Sequence, residues 1–151
     1  MIAYTISFIF LALAAFCNVL MDKPSHHMSI SVFKNLNPMI WGPESWRAKY
    51  IDGIYEKGRV KWKIFGFEII KPVQFCDSWH FFKMLMIFFV VFAIMTFPTS
   101  SVNWDWWQYG LAFCGYGVAW NGTFVLFYTY LFDLRKNKGI IKPFKRKLNK
   151  A

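Results

Sequence analysis

The sequence predicts an all-α membrane protein: three transmembrane helices, with a basic, partly amphipathic cytoplasmic loop patterned in part like a short β-hairpin. Three observations lead there. Hydrophobic residues make up 56% and aromatic residues 22% of the 151-residue chain. They gather in runs without Asp, Glu, Lys or Arg: Ile2–Met21, Met84–Phe97 and Trp106–Phe132. Seventeen of the 18 Lys and Arg residues fall in two stretches beside those runs. The whole chain reads as one membrane domain, with spans at about 2–21, 76–97 and 106–132, a loop over 22–75 and a tail over 133–151.

A hydrocarbon core about 30 Å thick takes about 20 helical residues at ~1.5 Å rise each. The first run meets that length without slack. Ala12, Ala14 and Ala15 would let another helix approach closely, and Pro24 is expected to end or kink the helix. The second span has the right length only from Cys76, which places Asp77, His80 and Lys83 in its first turns, with Lys83 snorkelling to the headgroups. The third exceeds the core and must tilt or extend into the interface. Trp104, Trp106, Trp107 and Tyr109 at its start have the composition of an aromatic belt. Gly110, Gly115, Gly117 and Gly122 leave it flat surface.

In the loop, Ser29–Phe33 with Leu36 reads as a short amphipathic element on the leaflet. Asn37-Pro38 and Trp41-Gly42-Pro43 are turn signals, and Pro43–Tyr50 looks like a helix start with an acidic first turn. Val60–Ile64 alternates apolar and basic residues ahead of Phe65–Ile70, the pattern of a strand pair or an extended interfacial strip.

The formal charge of +10 calls for an anionic partner. Segment 22–75 holds nine Lys and Arg and segment 133–151 holds eight. Because these flank spans, an anionic leaflet fits better than nucleic acid. Lys61, Lys63, Lys145, Arg146 and Lys147 are the expected anionic-lipid contacts. With three spans both cationic segments share one side. The positive-inside rule then puts them in the cytoplasm of an inner-membrane protein, with the N-terminus and the loop 98–105 outside.

Cys17, Cys76 and Cys114 show neither metal-type spacing nor a disulfide framework, and are expected as buried free thiols. The first segment lacks the basic start of a secretory signal and is read as retained.

No nucleotide loop, nucleophile elbow or paired-cysteine zinc site is present. The candidate chemistry lies at the loop side, where Asp22, His26, His27, Asp77 and His80 fall at one depth. Asp77 and His80 are three apart, hence on one helical face. Two imidazoles with carboxylates from two helices would suit Zn or Fe and activate a water. The plainer alternative is that these groups satisfy one another at helix ends. Asn18 and Asn121 lie inside spans, where a buried amide is expected to face the bundle and join helices.

Met21–Phe33, Trp41–Tyr50 with Asp52-Gly53, Asp77–Lys83 and Trp120–Phe124 resemble a recurrent type of small integral membrane protein from Bacteroidetes and their phages. The resemblance implies a membrane location and a bacterial or phage origin, and supplies no catalytic residues. The function expected first is non-enzymatic, by assembly with itself or a larger membrane complex. The alternatives are a metal-dependent hydrolase acting on a lipid or phosphate ester at the interface, and, from the resemblance and the small size, a phage lysis or superinfection factor.

Overall fold

The computed structural model describes residues 2–97, 105–137 and 139–144. The first apolar run forms helix α1, Ile2–His27, roughly 39 Å long at helical rise. It continues through Pro24 instead of stopping there. The Ser25 hydroxyl donates to the Met21 carbonyl at 2.7 Å, and tertiary contacts hold the residues on both sides of the proline, so the single lost backbone bond does not end the helix. Next come a 3₁₀ turn, Met28–Ile30, and the one-turn helix α2, Pro38–Trp41. Asn37 caps α2 through its side chain, which accepts from the Met39 amide at 3.0 Å. Gly42 is its C-cap, and a Cβ there would sit 2.6 Å from the Pro38 carbonyl oxygen. The expected helix after Pro43 is a 3₁₀ segment, Ser45–Lys49.

The predicted hairpin is present. β1 (Lys61–Ile64) pairs antiparallel with β2 (Phe67–Ile70) around Phe65-Gly66. Both turn residues have positive φ, 50° and 85°, the combination a tight two-residue hairpin needs. Phe is an unusual choice there, since its Cβ crowds the backbone in that region.

Asp77 caps helix α3, Ser78–Thr96, at about 29 Å a match to a bilayer core. Helix α4 spans Trp106–Val125 and opens with a capping box between Asp105 and Gln108. It runs on through a π-helical stretch, Leu126–Leu131, closed by the Phe132 N–H donating to the Phe127 carbonyl at 2.8 Å. Among the described residues three helices are therefore long and apolar enough to cross a membrane. Residues 98–104, including Trp104 of the expected belt, lie outside the described residues.

α1 is central. It packs against both α3 and α4, which have little contact with each other. Tyr4 meets Phe97 and Phe10 meets Phe92 across α1 and α3, so that pair is antiparallel. Phe8 meets Tyr116 and Phe16 meets Phe127 across α1 and α4, so that pair is parallel. The loop 28–75 and the chain after α4 consequently share one end of the bundle, the loop end.

Ala14 and Ala15 are fully buried, as helix contact requires, whereas Ala12 is only half-buried. Gly115 serves packing, with its Cβ position 3.2 Å from the Phe8 ring. The buried core sits at the loop end: Val19, Leu20, Val32, Phe33 and Phe132. Val32 and Phe33 thus face this core and not a leaflet, which corrects the amphipathic reading of Ser29–Phe33. Phe33 is its hub, in ring contact with Trp41, Phe132 and Phe144.

Candidate functional site

The most elaborate polar arrangement among the described residues is a clasp at the loop end. The Val32 N–H donates to the Phe132 carbonyl, the Leu134 N–H to Ile30, and the Phe144 N–H to Val32. Residues 132–134 and 144 thereby pair with the backbone of 30–32. Inside the clasp, Lys23 Nζ lies 3.0 Å from Asp133 Oδ2, with both residues buried at 2% and 4% exposure. The same ammonium sits 4.6 Å from the centre of the Tyr128 ring. Arg135 closes on the other side. Its Nη2 donates to Asp133 Oδ2 at 2.9 Å, while its Nε and backbone N–H donate to Oδ1. The carboxylate thus receives four donors. The Arg135 hydrogen bonds, followed by the Lys23 bond, hold it well below the usual carboxylate range although burial opposes this.

Asn137, 1% exposed, completes the clasp. Its Nδ2 donates to the Leu131 and Ile141 carbonyls and its Oδ1 accepts from the Gly139 N–H. It caps a carbonyl that the end of the π-helical stretch would otherwise leave orphaned. The tail after Asp133, which reads in the sequence as a solvated or lipid-bound basic run, is docked in part: Asp133 and Asn137 are buried, whereas Arg135, Lys136, Ile140 and Lys142 stay exposed. Buried hydrogen bonds and Phe144 tie this segment down. Lys145, Arg146 and Lys147 lie outside the described residues.

The expected His and Asp cluster divides. Asp77 is buried at the start of α3, where Oδ1 accepts from the His80 N–H at 2.9 Å and Oδ2 lies 2.7 Å from His80 Nδ1. With Nδ1 as donor, Nε2 is left free. His80 borders an open recess with Lys49, Tyr50, Tyr55, Glu56 and Arg59. A carboxylate orienting an imidazole is half of a general-base arrangement, but here the carboxylate also serves as helix cap. His26 and His27 are exposed, and His27 packs edge-on against Tyr128 at 5.9 Å. Asp22 shares a face of α1 with His26. Among the described residues no group of three or more His, Cys, Asp or Glu side chains gathers as a metal would require.

The polar tie between spans is not made by the two asparagines. Asn121 lies on the exposed surface of α4, donating at 2.9 Å to the Gly117 carbonyl of its own helix. Asn18 is half-buried. Instead, the Ser7 hydroxyl donates to the Ala93 carbonyl at 2.6 Å, and the Tyr116 hydroxyl donates to Ser7 Oγ at 2.7 Å. One serine thus links all three long helices. Sequence reading passed over Ser7 and Tyr116 because a lone hydroxyl in an apolar run bonds just as readily to its own helix. It passed over Lys23 and Asp133 because each stands at the boundary of a span, where a charge needs only water. The usable signal was Asp133 itself, an acid directly after an apolar run and at the head of a basic stretch.

Of the remaining sites, Lys61 pairs with Glu68 at 3.2 Å and Lys63 reaches it at 3.9 Å, all exposed. Lys83 is exposed on α3, its ammonium 4.6 Å from the Trp79 ring. Cys17 and Cys76 are buried free thiols, while Cys114 is exposed, contrary to expectation. In comparisons with known proteins, no family model, no curated protein and no solved structure matches this chain.

Proposed function

We propose that this is a multi-pass protein of the cytoplasmic membrane, with its loop end inside the cell, that works by assembly through α4, with itself or with a larger membrane complex. The observation that carries the reading is the position of Asn121. The amide is exposed on a helix that carries no charged residue and buries none of its residues within the monomer, and its hydrogen bond stays within that helix. In hydrocarbon such a group is best satisfied across a helix interface. Gly117 and Gly122, with no neighbour within 4 Å of their Cβ positions, leave room for a second helix to approach. The clasp ties the segment after α4 to the loop at one end of the bundle. Hydrolysis at the interface has less support, because the His and Asp residues expected to act together do not gather.

Subunit counting by single-molecule photobleaching in bilayers tests the reading, with wild type beside Asn121→Leu. The wild type is expected to form particles of more than one copy. The substitution should weaken association about three- to tenfold, as loss of a ~1 kcal/mol interhelical hydrogen bond implies. Single copies of the wild type at every surface density, with no second protein retained after mild extraction, would overturn it.

A further inference from the structure

The β1–β2 hairpin has two chemically different faces. Side chains alternate along each strand, and the register puts cross-strand partners on one face. Lys61 pairs with Ile70 and Lys63 with Glu68, while Trp62 pairs with Ile69 and Ile64 with Phe67. The first face carries the ion pairs. The second is wholly apolar, and beyond Trp62, which packs against Phe75 at 5.5 Å, it is uncovered. Phe67 is 75% exposed, and Phe65 at the tip is 97% exposed. In the sequence around the hairpin Lys57, Arg59, Lys61, Lys63 and Lys71 outnumber Glu56 and Glu68; Lys57 pairs with Asp52, and Lys61 and Lys63 reach Glu68 on the other face. Seven residues, 71–77, including one 3₁₀ turn, Val73–Phe75, separate β2 from the start of α3.

We propose that the hairpin is a membrane-dipping element that lays its Trp62–Ile64–Phe67–Ile69 face and the Phe65 ring into the headgroup and upper acyl region of an anionic leaflet. The inference rests on the membrane location proposed above and adds a lipid contact to it. The occupant is the bilayer, for three reasons that act together. The hairpin leads, through a short connection, into a helix apolar enough to span a membrane. The basic residues flanking the hairpin in sequence complement anionic headgroups. The residues that protrude furthest are aromatic, a type that partitions favourably into the interface. The turn supports this reading: asparagine would suit a positive φ better than phenylalanine, so the ring at position 65 is not explained by the backbone.

The test uses the full chain without its native cysteines, reconstituted in bilayers of phosphatidylcholine with and without phosphatidylglycerol. Single environment-sensitive labels are placed at positions 63, 65, 67 and 87, and quenching by nitroxide-bearing lipid is compared with quenching by aqueous iodide. Labels at 65 and 67 should be quenched by the lipid nitroxide and shielded from iodide about threefold relative to 63, more strongly with the anionic lipid. Phe65→Asn, which suits the turn, should preserve the hairpin yet expose the label at 67 to iodide. Position 87, on the exposed surface of α3, separates the two claims. If 87 meets the lipid quencher but 65 and 67 meet only iodide, the hairpin proposal fails and the membrane reading stands. If 87 also meets only iodide, both fail. Shielding of 65 and 67 from both quenchers, with disulfide cross-linking between copies at 65, would assign the face to a second copy and overturn the lipid assignment.

Discussion

At the scale of single residues, the account turns on a charge that sequence reasoning left in water. Lys23 is buried against Asp133 at 3.0 Å. Two ions removed from solvent stabilise a fold only when each stays partnered, and removing one strands the other. Asp133→Ala is therefore expected to destabilise the folded protein by ~3–5 kcal/mol, measured by denaturant titration in mixed micelles. The double variant Lys23→Met with Asp133→Leu should recover most of that loss, since matched apolar groups need no compensation. Failure of the pair to recover would show that Arg135, and not Lys23, is the partner that matters. Ser7→Ala should cost about 1 kcal/mol, by removing one acceptor and one donor from the tie among the three long helices.

The pH dependence follows from the same carboxylate. The folded protein holds the Asp133 carboxyl below its ordinary value, chiefly through Arg135. A depressed acid stabilises the fold fully above its unfolded pKa of about 4, and that contribution fades as pH falls from there through the folded value. Protection of the Val32, Leu134 and Phe144 amides, the donors of the clasp, measured against the exchange of an unfolded chain at the same pH, should hold from neutrality down to about pH 4 and fall below it. In Asp133→Asn it should be lost already at neutral pH. Wild-type amides that exchange freely at pH 7 would mean the tail segment is not docked.

At the scale of elements, α4 has two kinds of surface, and its glycines report them. Gly115 lies under Phe8, where a Cβ would come within 3.2 Å of the ring, whereas Gly117 and Gly122 have nothing within 4 Å. Gly115→Val should overpack the α1–α4 contact and cost ~1–3 kcal/mol. Gly117→Val should leave the monomer's stability within ~1 kcal/mol, yet reduce association if this surface meets another helix. Thermal unfolding read beside subunit counting separates the two effects. Equal loss of stability at both positions would mean that α4 packs within the monomer on both surfaces.

At the scale of the whole molecule, much of the architecture was legible in the sequence, because a bilayer imposes length and polarity on whole segments. The three long helices and the strand pair follow from runs and alternation, whereas Asp77, expected within the first turn of α3, is its cap. What escaped depended on tertiary context. Pro24 did not stop α1, because contacts on both sides hold the helix. The segment from Asp133 onward looked solvated, since nothing local reveals that Asn137 and Phe144 find buried partners on residues 131–141 and on Phe33. Asn121 was expected inside and lies outside, because composition places a residue at a depth but not on a face. Asp77 and His80 met as their spacing required, whereas convergence with Asp22 and His26 was a long-range assumption that no periodicity encodes.

The arrangement of α1 parallel to α4 and antiparallel to α3 puts the loop and the tail segment at one end, the end that the proposed topology turns to the cytoplasm. The most direct test is labelling of single cysteines in intact cells with a membrane-impermeant maleimide, at Lys63, Lys142 and Trp106. The account predicts that Trp106→Cys labels from outside, while Lys63→Cys and Lys142→Cys label only after the membrane is opened. Labelling of position 142 from outside, or of 63 and 142 on opposite sides, would contradict it.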